Sequence, residues 1–233
     1  GLPDFPTSLA TLQVELPKVK SGLLIASWFG DDLRCDTCTI KPKVEYASVD
    51  GREQPWSVSG ETRNTAAEVA RLNDAPVYGG TPSDASILQA IDAMNDAGQA
   101  VVFYPFLLME QLGGNALPDP WSDADDQAVL PWRGRITMSK APGQTGTPDR
   151  TAAAEAEVAA FFGTVQAADF AVSPGSVTYS GPAEWSYRRF ILHNAALCAA
   201  SGGVDAFCIG SEMRGLTQIR GAGDSFPAVA QMI

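Results

Sequence analysis

The sequence predicts an α/β fold in which helices alternate with buried parallel strands. Residues 81–109 carry the first observation, because a helix with a capping signal is followed by a glycine stop and an apolar strand. Residues 183–210 repeat this order of helix, glycine stop and apolar strand. The third observation is GLLIASWF at residues 22–29, a continuous apolar run that is typical of a strand buried on both faces.

Residues 1–20 precede this run and are predicted to be an extended lead-in or linker. They contain Pro, Thr and Ser, and they lack the basic and apolar blocks of a signal peptide. Residues 21–233 are predicted to form the N-terminal part of one domain. Within it, residues 43–49 alternate in part as an exposed strand does, and residues 75–80 (APVYGG) are predicted to hold a second short core strand.

The segment TPSD begins the first predicted helix. Thr81 has the position of an N-cap residue, Pro82 that of the first helical residue, and Asp84 follows three residues after the cap. Gly98 is predicted to end the helix. The apolar face of the helix is formed by Ile87, Leu88, Ile91 and Met94. The apolar strand QAVVFYPFLLM begins directly afterwards.

Residues 110–150 are rich in Gly, Pro and Asp and show little periodicity, so they are predicted to form a long loop insertion. Long loops in compact domains are usually functional. An Ala-rich helix is predicted at about residues 151–162. A longer helix at about residues 183–201 ends at Gly202 and Gly203 and leads into the apolar strand VDAFCIG.

The charge balance excludes some classes of partner. The chain has 16 Lys and Arg against 27 Asp and Glu, and its formal net charge is −11. Phosphate contacts need clustered basic residues, so we expect no nucleic acid and no anionic lipid surface as partner. A neutral substrate or a protein partner fits this charge better. No apolar run approaches the roughly 18 residues of a membrane span.

The chain contains a single CxxC motif, Cys35 and Cys38. Such a pair is compatible with half of a zinc site, a redox pair or a local disulfide. With one His in the chain and no second close pair of Cys, a structural role is favoured over metal or redox chemistry. We therefore expect no metal and no cofactor.

Polar or aromatic side chains follow three of the predicted strands. They are Trp28 with Asp31 and Asp32, Tyr104 with Glu110, and Ser211 with Glu212. In a (β/α)8 barrel the active site collects at the carboxyl ends of the strands. A carboxyl group at such a rim has the position of a general acid that protonates a leaving oxygen.

Several of these stretches resemble one family. WFGDDLRC, YGGTPSDAS, FYPFLLM, WRGRIT and FCIGSEMRGLTQIR resemble the TIM-barrel-like domain of the large tail hub (host-specificity) protein of gene transfer agents and related prophages. More broadly, the chain is similar to retaining TIM-barrel glycoside hydrolases of the β-mannanase type, whose fourth strand ends in a Gly-polar-Glu motif. The resemblance implies a (β/α)8 barrel, of which this chain covers about the first half, through the fourth strand.

The resemblance also implies roles for individual residues. Glu212 matches the general acid/base, and Trp132 and Arg133 match a WRG motif near the sugar cleft. Aromatic rings at strand ends are expected to stack on sugars. The substrate-binding residues implied in this way are Trp28, Asp31, Tyr104, Trp132 and Arg133.

One departure limits the implied chemistry. In those hydrolases the nucleophilic Glu lies on the seventh strand, whereas this chain ends shortly after the predicted fourth. A retaining pair needs two carboxyl groups about 5–5.5 Å apart. We therefore expect the isolated chain not to hydrolyse glycans, and we expect its open sheet edges to favour self-association.

The implied function is glycan binding or cleavage by a baseplate hub during host engagement. Its partners would be a polysaccharide or cell-surface glycan and other tail proteins. It would be located in the tail of a virion-like particle that is assembled in the bacterial cytoplasm. The alternative is a catalytically inactive spacer module of the tail, and a weaker one is a redox or metal module built on the CxxC motif.

Each candidate residue also has a purely structural interpretation. Glu212 is compatible with a capping role or an ion pair with Arg214 or Arg220, and Arg133 with an ion pair in the long loop. The remaining candidates have packing or turn interpretations: Trp28 and Tyr104 in the core, Asp31 and Asp32 in a solvated turn, and His193 as a packing or hydrogen-bonding residue.

Overall fold

The computed structural model describes residues 3–233 and has a mixed α/β architecture. The helices are α1 (Asp4–Glu15), α2 (Asp84–Asp96), α3 (Ala152–Phe162), α4 (Tyr187–Ala200), α5 (Arg214–Thr217) and α6 (Pro227–Met232). The strands are β1 (Ser21–Gly30), β2 (Ile40–Lys41), β3 (Lys43–Val44), β4 (Ser57–Val58), β5 (Glu61–Thr62), β6 (Ala67–Glu68), β7 (Arg71–Leu72), β8 (Ala75–Pro76), β9 (Ala100–Met109), β10 (Phe170–Ser173), β11 (Ser176–Tyr179) and β12 (Ala206–Phe207).

The central sheet has the strand order β12-β9-β1-β2. β1 and β9 are parallel along their whole length, β12 is parallel to β9, and β2 is antiparallel to β1. The prediction of an α/β fold with parallel strands is confirmed. Within residues 3–233 the sheet does not close into a barrel.

Both long helices that follow the strands pack on one face of the sheet. Ile91 of α2 and Leu197 of α4 lie in one apolar cluster with Ala26 of β1 and Phe103 of β9. Sequential parallel strands with their helices on the same side have the winding of a TIM barrel, whereas a doubly wound sheet carries helices on both faces. The other face of the sheet carries no helix of this cluster.

The sheet contains three parallel strands, so the predicted count of four is wrong for the described residues. Ala75–Pro76 does not join the sheet but pairs with Arg71–Leu72 in a hairpin. Asn73 and Asp74 both have positive φ, which is the requirement of a tight two-residue hairpin turn. Glu212 therefore follows the third parallel strand.

Residues 43–49 also depart from the prediction. Only Lys43–Val44 is a strand, and it pairs with Ala67–Glu68 outside the central sheet. The antiparallel hairpin of β10 and β11 was not predicted at all. These short elements lack the long apolar run that marked β1 and β9.

The lead-in is helical rather than extended. α1 occupies Asp4–Glu15, and it has no buried residue. An exposed helix leaves little apolar periodicity in the sequence, which explains why the pattern did not indicate it. Residues 1 and 2 of the predicted lead-in lie outside the described residues.

The N-cap of α2 is Ser83, and the predicted N-cap Thr81 has another role. Ser83 Oγ accepts a hydrogen bond from Ser86 N at 3.1 Å. Thr81 is buried, and its hydroxyl donates to the carbonyl of Ser27 at 2.8 Å. Thr81 therefore ties the start of α2 to β1. The predicted stop at Gly98 is present, with a φ of 68°.

The prediction that residues 22–29 are buried on both faces holds only at the carboxyl end of β1. Trp28 and Phe29 are buried, whereas Leu23 and Ile25 are 54% and 46% exposed. Residues 110–150 contain one short 3-10 turn, Arg133–Arg135, and no other helix or strand. This loop carries part of the site described next.

Candidate functional site

The middle of β9, the segment after β12 and the long loop bring five polar and aromatic residues together. We name this group the rim cluster, and its members are Tyr104, Trp132, Arg133, Ser211 and Glu212. Tyr104 belongs to β9, and Ser211 and Glu212 follow β12. Tyr104 lies in the middle of β9 and not at its carboxyl end as predicted; β12 pairs with β9 only as far as Phe103, so the residues after β12 begin beside Tyr104.

Arg133 is the centre of the rim cluster. Its side chain is only 7% exposed, and its guanidinium lies 4.0 Å from the ring centroid of Phe106 on β9. Nε donates to the carbonyl of Ser211 at 3.0 Å, and Nη2 donates to the hydroxyl of Tyr104 at 3.0 Å. The planar guanidinium thus joins the loop to β9 and to the segment after β12.

Glu212 is held by two donors but remains half exposed. Its Oε2 accepts a hydrogen bond from Trp132 Nε1 at 2.6 Å and lies 3.2 Å from Arg133 Nη2. The side chain is 53% exposed, and Oε1 has no hydrogen-bond partner among residues 3–233. The backbone of Glu212 has a φ of 57°, which is uncommon for a residue other than Gly.

A cleft of about 280 Å³ lies beside Trp132. Its lining residues are Trp121, Trp132, Gly134, Arg135, Arg214, Gly215 and Gln218. Two glycines make its geometry possible. A Cβ at Gly134 would lie 2.4 Å from the Trp132 ring, and one at Gly215 would lie 2.5 Å from the carbonyl oxygen of Ile136. A side chain at Gly134 would therefore displace the Trp132 ring, and one at Gly215 would push α5 away from the loop.

Trp28 does not join the rim cluster. In the parallel register Trp28 pairs with Leu107 and Tyr104 pairs with Ile25, so the two aromatic side chains point to opposite faces of the sheet. Trp28 is 1% exposed and packs near Trp185, at a centroid distance of 5.8 Å. Its ring faces are covered, as in the packing interpretation.

Asp31 also lies apart from the rim cluster. Its carboxylate accepts hydrogen bonds from Thr39 N at 2.7 Å and from Thr39 Oγ1 at 2.5 Å. These contacts close the loop between β1 and β2. Asp31 therefore has a structural partner here, and no contact joins it to Glu212.

Asp32 is buried and does not lie in a solvated turn. Desolvation raises the pKa of its carboxyl group. The hydrogen bonds that it accepts from Arg34, Gln127 and Thr37 lower the pKa by more than desolvation raises it, so the pKa lies below 3.8. Both carboxylate oxygens accept hydrogen bonds from these residues. It organises the turn after β1 and is not open to a ligand.

His193 has an acidic partner that the sequence did not indicate. Its Nε2 lies 2.8 Å from Asp84 Oδ1, and its ring is 1% exposed. Asp84 Oδ2 also accepts a hydrogen bond from Ser59 N at 3.2 Å. Arg189 completes this group by donating to the carbonyl of Ser59 at 2.7 Å. We name Ser59, Asp84, Arg189 and His193 the buried cluster.

Cys35 and Cys38 are free thiols and both are buried. Burial raises the pKa of each thiol strongly, and the nearby Glu157 and Asp31 add to the shift for Cys35 and Cys38 respectively. Nucleophilic and metal-binding chemistry need the thiolate form. Within residues 3–233, no group of three or more His, Cys, Asp or Glu side chains is arranged to hold a metal ion.

The sequence reasoning missed part of the cleft. Trp121, Arg135, Arg214 and Gln218 line it but were not singled out as binding residues. Trp121 and Arg135 lie in the irregular loop, where no periodicity marks a face. The only signal was that two Trp and two Arg occur near the WRG motif and near Glu212.

The comparisons with known proteins concern the C-terminal part of the chain. The family model described as the GTA (gene transfer agent) TIM-barrel-like domain matches residues 185–233. This range includes α4, β12 and Glu212, whereas Tyr104, Trp132 and Arg133 lie before it. No curated protein matches the chain. The part of the chain that the structure describes has no helix long and apolar enough to span a bilayer.

These findings agree with the coarser predictions. Residues 185–233 are similar to the gene transfer agent TIM-barrel-like domain, and the described residues form a mixed α/β structure with three sequential parallel strands and no closed barrel. The match indicates a domain related to gene transfer agent particles.

Proposed function

We propose that this chain is part of a tail hub of a gene transfer agent or related particle and that it binds a cell-surface glycan at the rim cluster. The observation that carries the proposal is the arrangement of Trp132, Arg133 and Glu212 where the long loop meets β9 and the segment after β12. The match of residues 185–233 to the gene transfer agent family supports the particle.

The rim cluster has the parts that sugar recognition needs. Trp132 is 45% exposed, so its ring can receive the apolar face of a sugar. Beside it, Glu212 offers an unpaired Oε1 that can accept a hydrogen bond from a hydroxyl group. Arg133 and Trp132 fix the orientation of the carboxylate before a ligand arrives, which lowers the entropic cost of binding.

The rim cluster supports recognition better than hydrolysis. Its hydrogen-bond network contains one carboxylate, Glu212, among the described residues. A retaining mechanism needs a second carboxyl group about 5–5.5 Å away. We therefore propose binding without turnover by this chain, and the implied role of Glu212 as general acid/base stays a prediction.

Titration calorimetry with a panel of cell-wall and capsular polysaccharides tests the proposal. We expect the wild-type chain to bind at least one glycan, and Trp132→Ala to weaken binding about tenfold or more because a stacking surface is lost. Tyr46→Ala is the matched control, since Tyr46 is an equally exposed aromatic residue elsewhere. No binding across the panel, or unchanged binding by Trp132→Ala, would contradict the proposal.

A second candidate is an inactive spacer module that contacts other tail proteins. The observation in its favour is that Arg133 already joins Tyr104, Ser211 and Glu212, so the group also serves as a structural tie. A spacer role predicts that Glu212→Gln lowers stability while no glycan binds. The glycan-binding role predicts that Glu212→Gln weakens the affinity and leaves the unfolding free energy nearly unchanged.

A further inference from the structure

We name the cleft beside the rim cluster the Trp121–Trp132 cleft. Two tryptophans and two arginines are among its lining residues. Trp132 is fixed by its hydrogen bond to Glu212. Trp121 is fixed by donating from Nε1 to the carbonyl of Arg135 at 2.7 Å. Both rings therefore have a defined orientation in the absence of a ligand, and no large rearrangement is needed to bind one.

The charge of this cleft is opposite to the charge of the chain. The formal net charge of the chain is −11, yet no Asp or Glu lines the cleft. Arg135 and Arg214 are exposed there, and neither forms an ion pair within residues 3–233. The adjacent carboxylate of Glu212 is already paired with Arg133. Asp119, two residues before Trp121, accepts hydrogen bonds from Trp121 N and Ser122 Oγ.

Two unpaired guanidinium groups next to indole rings define a ligand chemistry. A guanidinium donates in a planar fork that matches a carboxylate or a phosphate, and an indole face receives the apolar face of a sugar ring. The hydroxyl groups of a neutral sugar can also accept hydrogen bonds from a guanidinium, but an anionic group adds the attraction of opposite charges and can accept from the planar fork at two atoms, which makes the interaction stronger.

We infer that the Trp121–Trp132 cleft selects an acidic saccharide, whose carboxylate or other anionic group contacts Arg135 and Arg214 while a sugar ring lies against Trp132. This inference rests on the proposed glycan binding and names the class of glycan. It departs from the neutral substrate that the net charge suggested, because local charge at the site and net charge of the chain differ in sign.

Paired saccharides test the inference. The probes are oligomers of galacturonic acid, of sialic acid and of hyaluronan, each compared with its carboxyl-reduced neutral form at low salt. We expect at least one acidic oligomer to bind about tenfold more tightly than its neutral form, and added salt to narrow the difference. Arg135→Gln and Arg214→Gln should each remove most of this preference. Arg52→Gln is the control, because Arg52 is exposed and lies outside the cleft.

The outcomes separate the inference from the function on which it rests. Equal binding of acidic and neutral oligomers that Trp132→Ala weakens would overturn the acidic preference and keep glycan binding. A preference for acid that survives in both Arg variants would also overturn the inference. If polyglutamate binds as tightly as the acidic oligomers, charge alone accounts for the binding, and the inference of an acidic saccharide is overturned. If neither these oligomers nor any polysaccharide binds, both proposals fail.

Discussion

The rim cluster and the buried cluster contain similar chemical groups but differ in how far these groups are exposed to solvent. Each contains an arginine on an aromatic face and a carboxylate with two partners. Arg133 lies 4.0 Å from the ring centroid of Phe106, and Arg189 lies 3.6 Å from that of Trp185. In the buried cluster, however, the carboxylate of Asp84 is only 20% exposed, whereas that of Glu212 is 53% exposed.

This difference in exposure indicates that the buried cluster contributes to stability and the rim cluster to ligand binding. The buried cluster joins α2, α4 and the β4–β5 turn, and its loss would leave polar groups unpaired inside the protein. The rim cluster leaves one carboxylate oxygen and one indole face available. We therefore expect substitutions in the buried cluster to change stability and substitutions in the rim cluster to change binding.

The largest effect is expected at Arg189. Arg189→Ala removes hydrogen bonds to the carbonyls of Ser59 and Glu184 and the contact with Trp185, and it should lower the unfolding free energy by about 3 kcal/mol. Urea denaturation measures this change. Arg188→Ala is the control on the same helix, and it should lower stability by less than about 1 kcal/mol. Similar losses of unfolding free energy for the two variants would contradict the stabilising role of the buried cluster.

Asp84 is the next strongest test of the buried cluster. Asp84→Ala leaves His193 Nε2 and Ser59 N without their acceptor, so we expect a loss of about 2 kcal/mol in thermal or urea unfolding. Asp92→Ala changes an exposed residue of the same helix and should have little effect. A stable Asp84→Ala protein would mean that the buried hydrogen bonds contribute little.

Asp32 sharpens the comparison, because it also follows a strand end but is buried. Its folded pKa lies below its unfolded value of 3.8, so its contribution to stability is fully present above that pH and is lost as the pH falls through the lower folded value. We expect Asp32→Asn to lower stability by about 1 kcal/mol at neutral pH. The variant should also show a flatter fall in stability below pH 3.8 than the wild type. Parallel pH profiles of the two proteins would contradict this.

The smallest effect on stability is expected at Glu212. Glu212→Gly loses a half-exposed ion pair, worth at most about 1 kcal/mol, and relieves a positive φ that costs a similar amount. The unfolding free energy should therefore stay within about 1 kcal/mol of the wild type, whereas glycan affinity should fall. Ala116→Gly, at a φ of 53°, is the control for the relief of backbone strain alone.

The features that could be predicted from the sequence are those with a local pattern. Continuous apolar runs indicated β1 and β9, and the glycine stop at Gly98 has the expected positive φ. The grouping of Glu212 with Trp132 and Arg133 came from resemblance and from the rule that parallel strand ends meet at one edge. Tyr104 joins them in the structure through Arg133.

The features that could not be predicted depend on contacts between distant segments. The face on which Trp28 lies follows from its register with β9, and no single-strand pattern gives that register. The partner of His193 is 109 residues away in the sequence. The strands at residues 71–72 and 75–76 are two residues long, too short for alternation to mark them, and no turn was predicted at Asn73 and Asp74 between them.

Hydrogen–deuterium exchange with and without a saturating glycan tests whether the rim cluster binds and the buried cluster does not, because it reports on both clusters in one experiment. We expect slower exchange in residues 130–135 and 210–217, around the rim cluster, and unchanged exchange in residues 57–61 and 187–194, around the buried cluster. Protection of the buried cluster with none at the rim would contradict this expectation, and so would no protection anywhere.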